Sequence, residues 1–291
     1  MSLRYRFFLA VLCTACRSST PAEAPSPDIR GPAEIPTELN PTVSAWSISP
    51  TSQEHRYISV TRAILETVGL PQSTRDTIIS TVNFSTSITR DITPPSYSAR
   101  IEAVSTQGGT RIRAAVPPAD TPVPLVFTGR LEPNRTTLEL PKAQTDISGS
   151  CVNEALAAVP VVQRSLVLVP LQLHTGLTWM DSTTASVCSG PMLVSLTTVR
   201  IYMVKGQAVV RGRTAILLEQ QNRTSFAGEG AQEQHRIRVR GDGTGKSQLA
   251  VDAVTGALID VTADNTTLLT ITASGRDQRF TQTSYERVTQ L

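Results

Sequence analysis

Lysine and histidine are both scarce in this 291-residue chain, and each scarcity argues against a class of function. Only three of the 27 basic residues are lysine, and the net charge of +3 is too small to predict nucleic-acid binding. None of the three histidines has a metal-ligand partner three or four residues away. The sequence therefore predicts no metal, no cofactor and no nucleic-acid partner.

Motifs that couple a nucleophile to a base are also missing. The chain contains no Gly-x-Ser-x-Gly elbow, no Ser-x-x-Lys and no His-Glu-x-x-His. Only a catalytic site assembled from residues far apart in the sequence would escape this inspection. We therefore expect the protein not to be an enzyme.

One stretch, residues 236–249, contains Gly-Lys-Ser and raises the question of a phosphate-binding loop. Such a loop needs a glycine five residues before Gly245, and that position is Arg240. The residues after Ser247 alternate as in a strand, whereas a phosphate loop opens a helix. We therefore predict no nucleotide binding, and we interpret Gly241–Gly245 as the turn of a β-hairpin.

The first sixteen residues have the anatomy of an export signal. Two arginines precede a short apolar core, and the run Leu-Cys-Thr-Ala-Cys ends at Cys16. The core is too short to span a membrane as a helix. The run resembles the lipobox of bacterial lipoproteins, with Cys13 at the usual leucine position. The resemblance implies that residues 1–15 are a signal peptide and that Cys16 is acylated, with palmitate among its acyl chains. An ordinary cleaved signal or a redox Cys-x-x-Cys pair are the alternatives.

Residues 16–44 predict a disordered tether. Six prolines fall between Pro21 and Pro41, and no apolar periodicity runs through the segment. The residue after the cysteine is Arg17. An aspartate at this position would retain a lipoprotein at the inner membrane, so the arginine resembles the signal of lipoproteins sorted to the outer membrane. We therefore expect a protein of the bacterial cell envelope, held by its lipid on the periplasmic or surface face of the outer membrane.

Residues 45–291 predict a mainly β fold. Runs rich in β-branched residues alternate with short polar turns, which indicates antiparallel meanders forming a large curved sheet or two packed sheets. Residues 151–166 are rich in alanine and leucine and predict one central α-helix, kinked or ended by Pro160. The halves 45–150 and 167–291 both open with long strands, so we also predict an internal duplication.

Two short motifs in the second half carry a resemblance. Gly176 and Trp179 open a long strand, and Asp252, Thr255 and Gly256 mark a hairpin. These motifs look like those of an uncharacterised group of bacterial lipoproteins, and the resemblance implies a location and a fold but no activity. By strand order alone, the chain is also similar to the curved sheets of periplasmic lipoprotein-carrier proteins.

Two sets of residues are candidate sites. Cys151 and Cys188 are the thiols left beyond the signal and the anchor, so an exported protein is expected to join them in a disulfide. Two reduced thiols are the alternative. Arg236, Arg238 and Arg240 share one face of a strand, which is either a solvated face or a cationic patch for an anionic partner.

The expected function follows from how much of the apolar sheet surface the helix can cover. A helix of sixteen residues is about 24 Å long at ~1.5 Å per residue, so it covers only part of a large sheet. We therefore expect an apolar groove and a non-enzymatic envelope lipoprotein that binds an apolar ligand, a lipid or a protein partner. A structural or assembly component of the envelope is the alternative.

Overall fold

The computed structural model describes residues 44–69, 75–90, 92–108, 124–132, 135–137, 154–189, 192–232 and 235–291. The chain divides into the units Met1–Ala33 and Glu34–Leu291, and every described residue belongs to the second. The predicted signal peptide, Cys16, the tether up to residue 43 and Cys151 therefore lie outside the described residues. The Cys151–Cys188 disulfide and the lipid anchor stay predictions.

The described residues form thirteen strands and one helix. The helix α1 is Glu154–Ser165. The strands are β1 Ala45–Ser47, β2 Glu54–Val68, β3 Arg75–Thr89, β4 Ser96–Gly108, β5 Leu125–Glu132, β6 Arg135–Thr136, β7 Gln172–His174, β8 Thr178–Ser189, β9 Met192–Val210, β10 Arg213–Gln232, β11 His235–Asp252, β12 Leu258–Ala273 and β13 Arg276–Gln290.

Eleven of these strands make one closed barrel, in the order β10-β11-β12-β13-β2-β3-β4-β5-β6-β8-β9. Neighbours are antiparallel except β6 and β8, which meet in parallel at Thr136 and Thr183. The strands β1 and β7 pair in a separate two-stranded sheet. The predicted mainly β fold, with a large curved sheet and one helix, is confirmed. Closure of the curved sheet leaves few unpaired strand edges.

The helix lies inside the predicted segment and continues five residues past Pro160 to Ser165. Ala158, Val159 and Val162 are buried in the main core, and this burial offsets the helix-breaking cost of the proline. The prediction that the helix could end at Pro160 is therefore wrong. No helix among the described residues is long and apolar enough to cross a membrane.

The main core fills one half of the barrel, which we call the near half. The barrel end on this side carries the β9–β10 turn at Arg211–Gly212 and is covered by the small β1–β7 sheet. Two aromatic pairs anchor this core: Tyr57 stacks on Phe84 at 5.2 Å, and Tyr97 meets Phe127 edge-on at 6.3 Å. The helix packs here, so the near half is a filled core.

The predicted hairpin turn at Gly241–Gly245 is wrong, because β11 runs through it without a break. The glycines face the core side of the strand, where neighbouring side chains take the space of a Cβ. At Gly241 a Cβ would meet the ring of Phe226, and at Gly245 it would meet the Asn265 amide. Glycine marks close side-chain approach in this strand, not a reversal of the chain.

Candidate functional site

A buried ion pair joins two neighbouring strands at mid-height in the barrel. Arg200 in β9 donates from Nε to Asp181 Oδ1 at 2.6 Å and from Nη2 to Oδ2 at 2.9 Å. The Arg200 side chain is 1% exposed, and the Tyr202 hydroxyl donates to the same carboxylate at 3.3 Å. Burial raises the pKa of Tyr202, so this hydroxyl stays a donor.

The same arginine also binds the end of the helix. Its Nη1 donates to the carbonyls of Gln163 at 3.2 Å and Arg164 at 3.3 Å. These last-turn carbonyls have no partner within the helix and carry its negative dipole end. Burial alone lowers the pKa of Arg200, but the surrounding Tyr202 and Asp181 raise it overall, so the guanidinium stays charged.

A second ion pair holds the helix end from another side. Arg164 donates to Glu286 Oε2 in β13 from Nε at 2.9 Å and from Nη2 at 2.7 Å. Ser59 in β2 donates to the other oxygen of Glu286 at 3.2 Å. We call these two ion pairs the ion-pair belt. Both acids and both arginines in it are paired, so the belt fixes the helix inside the barrel.

The residues of the two sequence motifs serve packing and turns. Trp179 stacks on Tyr202 with ring centroids 4.9 Å apart, beside the ion-pair belt. Gly176 precedes it in a turn with φ of 83°. Asp252 accepts three hydrogen bonds from the β11–β12 turn, which Gly256 completes with φ of 71°.

Arg236, Arg238 and Arg240, the rim arginines, lie together on the outer face of β11 with side chains 58–73% exposed. Arg236 and Arg238 both pair with Glu229, and Arg240 lies 4.0 Å from Asp277. Exposed pairs of this kind contribute little to stability, because solvent screens the charges. They do, however, neutralise part of the charge that an anionic partner would meet.

A larger feature crosses the outer face of six consecutive strands, from β2 through β13, β12, β11 and β10 to β9. It is a trough of about 890 Å³, which we call the outer trough. Its walls are two rows of side chains that alternate with core-facing positions. Row one is Arg62, Tyr285, Asp264, Lys246, Gln221 and Ile201, and row two is Ile64, Thr283, Thr266, Thr244, Arg223 and Val199.

Among the described residues, the charged side chains of the outer trough form no ion pairs. Lys246 and Arg223 come from adjacent strands, and Arg62 lies at the β2 end of the same trough. Asp264 is the one acid among the described lining residues, and none of these four has an ion-pair partner within 4.0 Å in the described part of the chain. Asp264 is the cross-strand neighbour of Lys246, so the trough differs from the rim arginines in the absence of ion-pair contacts among the described residues, not in the absence of an acid.

Apolar and hydroxyl groups complete the outer trough. Ile201 is 51% exposed, and its cross-strand neighbour Met180 in β8 is 46% exposed. At the other end lies Tyr285, whose hydroxyl oxygen is buried without a hydrogen-bond partner. Burial raises the pKa of Tyr285, so the hydroxyl stays protonated below the surface of the trough. This arrangement can bind a molecule that has both anionic and apolar parts.

Sequence reasoning missed the outer trough. The sequence analysis places a turn at Gly241–Gly245, directly before Lys246. The other residues of the trough come from five further strands that the sequence does not place side by side. A signal was present, because Thr244 and Lys246 alternate with Gly243 and Gly245 as an exposed strand face does. Within the described residues, no group of three His, Cys, Asp or Glu could hold a metal ion.

No family model matches the chain, and no curated protein matches it. The resemblance to a group of bacterial lipoproteins therefore stays a prediction.

Proposed function

We propose that this protein is a lipid-anchored protein of the cell envelope that binds an anionic amphiphile in the outer trough. The observation that carries the proposal is the presence of three unpaired cations beside exposed apolar side chains in one trough of about 890 Å³. Ligand sites commonly have volumes of about 300–1,000 Å³, so the trough is large enough for a lipid-sized molecule.

The anionic group of the ligand is bound by Lys246 and Arg223. They lie diagonally on adjacent strands, a placement for which Cα atoms are about 7–8 Å apart, so one phosphate or carboxylate fits between their side chains. Asp264 is the cross-strand neighbour of Lys246, but in the described part of the chain neither cation makes an ion pair that the ligand would have to break. The rim arginines are weaker candidates, since Glu229 already contacts two of them.

The apolar part of the ligand lies over Ile201, Val199 and Met180. These side chains adjoin the cations at the β9 end of the trough and continue onto β8. Each methylene group removed from water contributes about 0.8 kcal/mol, so a short contact with an acyl chain is sufficient for useful affinity. A structural role in the envelope is the alternative, supported by the filled near half of the barrel.

Removal of either cation is expected to weaken binding by about tenfold, the effect of losing one charge-assisted contact. Lys246→Ala and Arg223→Ala are compared with wild type by titrating the chain from Arg17 onward with a fluorescent fatty acid at low salt. Added salt should weaken the wild type as well, because these charges are exposed.

Arg100→Ala is the matched control, since Arg100 is an exposed arginine of β4 outside the outer trough. It should leave the affinity unchanged, and Lys246→Ala should change the free energy of unfolding by less than about 0.5 kcal/mol. Absence of saturable binding at low salt, or an equal loss in Arg100→Ala, would leave the structural role as the better proposal.

The anchor makes a separate prediction. Metabolic labelling with a palmitate analogue should mark the wild type and Cys13→Ala but not Cys16→Ala, because acylation needs the thiol of the lipobox cysteine. One acyl chain gives only marginal membrane binding, so the anchor requires more than one chain. A label that survives in Cys16→Ala would show that another residue is acylated, and an unlabelled wild type would favour an ordinary cleaved signal.

A further inference from the structure

We infer that the ligand of the outer trough is a glycolipid with two anionic groups about 14 Å apart, and that Arg62 binds the second of them. The inference rests on the proposed function. It starts from the division of the unpaired cations into two subsites. The first subsite is Lys246 with Arg223, and the second is Arg62 at the opposite end of the trough.

The spacing follows from the strand register. Arg62 pairs with Tyr285, Tyr285 with Asp264, and Asp264 with Lys246, so three inter-strand steps separate the two subsites. At about 4.8 Å for each step, the backbone separation is about 14 Å. Hydrogen-bond donors lie within about 3 Å of an acceptor, so Arg62 and Lys246 could share one phosphate only by folding toward each other across Tyr285 and Asp264. Two anionic groups let all three cations bind without that folding.

The groups between the subsites select the middle of the ligand. Asp264 lies there and repels an anion, but its carboxylate accepts hydrogen bonds from hydroxyl groups. Tyr285 lies beside Asp264 in row one, but its hydroxyl oxygen is buried below the surface. Thr266 and Thr283 add hydroxyls from row two. A neutral link that carries many hydroxyl groups, such as a disaccharide, fits this pattern.

The chemical class is therefore a disaccharide glycolipid with one phosphate at each end. One phosphate contacts Lys246 and Arg223, the other contacts Arg62, and acyl chains lie over Ile201 and Met180. A simple fatty acid would occupy only the first subsite and the apolar end of the trough.

The test compares a bisphosphorylated disaccharide glycolipid with its monophosphorylated form, at equal acylation, by titration of the full chain. Wild type should bind the bisphosphorylated form about tenfold more tightly. Arg62→Ala should reduce that affinity to the level of the monophosphorylated form and leave the monophosphorylated form unchanged. Lys246→Ala should weaken both forms, and Arg100→Ala should weaken neither.

Equal affinity of wild type for the two forms would overturn the inference, and so would an Arg62→Ala variant that weakens both forms equally. The proposed function would survive either result if Lys246→Ala still weakens binding of the fatty acid. If Lys246→Ala affects no ligand, the proposed function and this inference fall together.

Discussion

Arg200→Ala is expected to lower the free energy of unfolding by about 3–5 kcal/mol, the cost of breaking a buried ion pair by removing one partner. Among the described residues, the variant leaves the buried Asp181 carboxylate with only the Tyr202 hydroxyl as a donor. It also removes the arginine donor from the carbonyls of Gln163 and Arg164, and Gln163 keeps only its bond from the Leu166 N–H within the described part of the chain. The end of the helix and strand β8 therefore lose the side chain that connects them.

Urea denaturation of the purified variants measures this loss. Arg100→Ala, at an exposed arginine, should change the free energy of unfolding by less than about 0.5 kcal/mol. The double variant Asp181→Leu with Arg200→Met should recover most of the lost stability, because apolar pairs often replace buried ion pairs without cost. A single variant that loses less than about 1 kcal/mol would show that water reaches Asp181.

If Arg200→Ala is too unstable to purify, Arg200→Lys still tests the geometry. Lysine keeps the charge but has no fork, so it cannot reach both carboxylate oxygens and two helix carbonyls at once. We expect stability between those of the wild type and the alanine variant. Stability equal to the wild type would show that charge alone holds the helix end.

Gly241→Ala is expected to destabilise the barrel by about 1–3 kcal/mol, as an overpacked core position does. In an ordinary strand the same change would stabilise slightly, because glycine loses more backbone entropy on folding than alanine does. Here a Cβ would lie 2.6 Å from a ring carbon of Phe226 and 2.7 Å from the carbonyl oxygen of Leu268. The sign of the effect therefore depends on neighbouring strands.

A double-mutant cycle separates the two contacts. In the Phe226→Ala background the cost of Gly241→Ala should fall, because the ring is gone, but it should stay above zero because the Leu268 carbonyl remains. Asp242→Ala, at the exposed neighbouring position, should stay within about 0.5 kcal/mol of wild type. A Gly241→Ala variant as stable as the wild type would contradict the close approach of Phe226 to β11.

Local patterns in the sequence were sufficient to predict the strands and the helix. Val82 and Phe84 share a face two residues apart, and both prove to be core residues of β3. The helix was predicted because residues 151–166 are rich in alanine and leucine, which favour helix. These features depend on neighbours in the chain, so the sequence displays them directly.

The glycine-rich stretch shows where local patterns are ambiguous. The run Gly241–Gly245 suits a turn because glycine tolerates positive φ, and it suits a strand because glycine admits side chains from other strands. In the structure the run is a strand, and the side chains of Phe226 in β10 and Asn265 in β12 pack against its glycines. These contacts come from other strands, so nothing within the run itself indicates them.

The sequence alone determined a mainly β chain with one helix, and it predicted an export signal with a lipid anchor. Only the tertiary structure decided which charges are paired. Arg200 is buried against Asp181 and the rim arginines share Glu229, whereas Arg62 and Lys246 meet no acid within ion-pair distance in the described barrel. The reason is physical: pairing depends on the register between strands, and closure of the barrel sets that register by bringing together segments that are far apart in the chain.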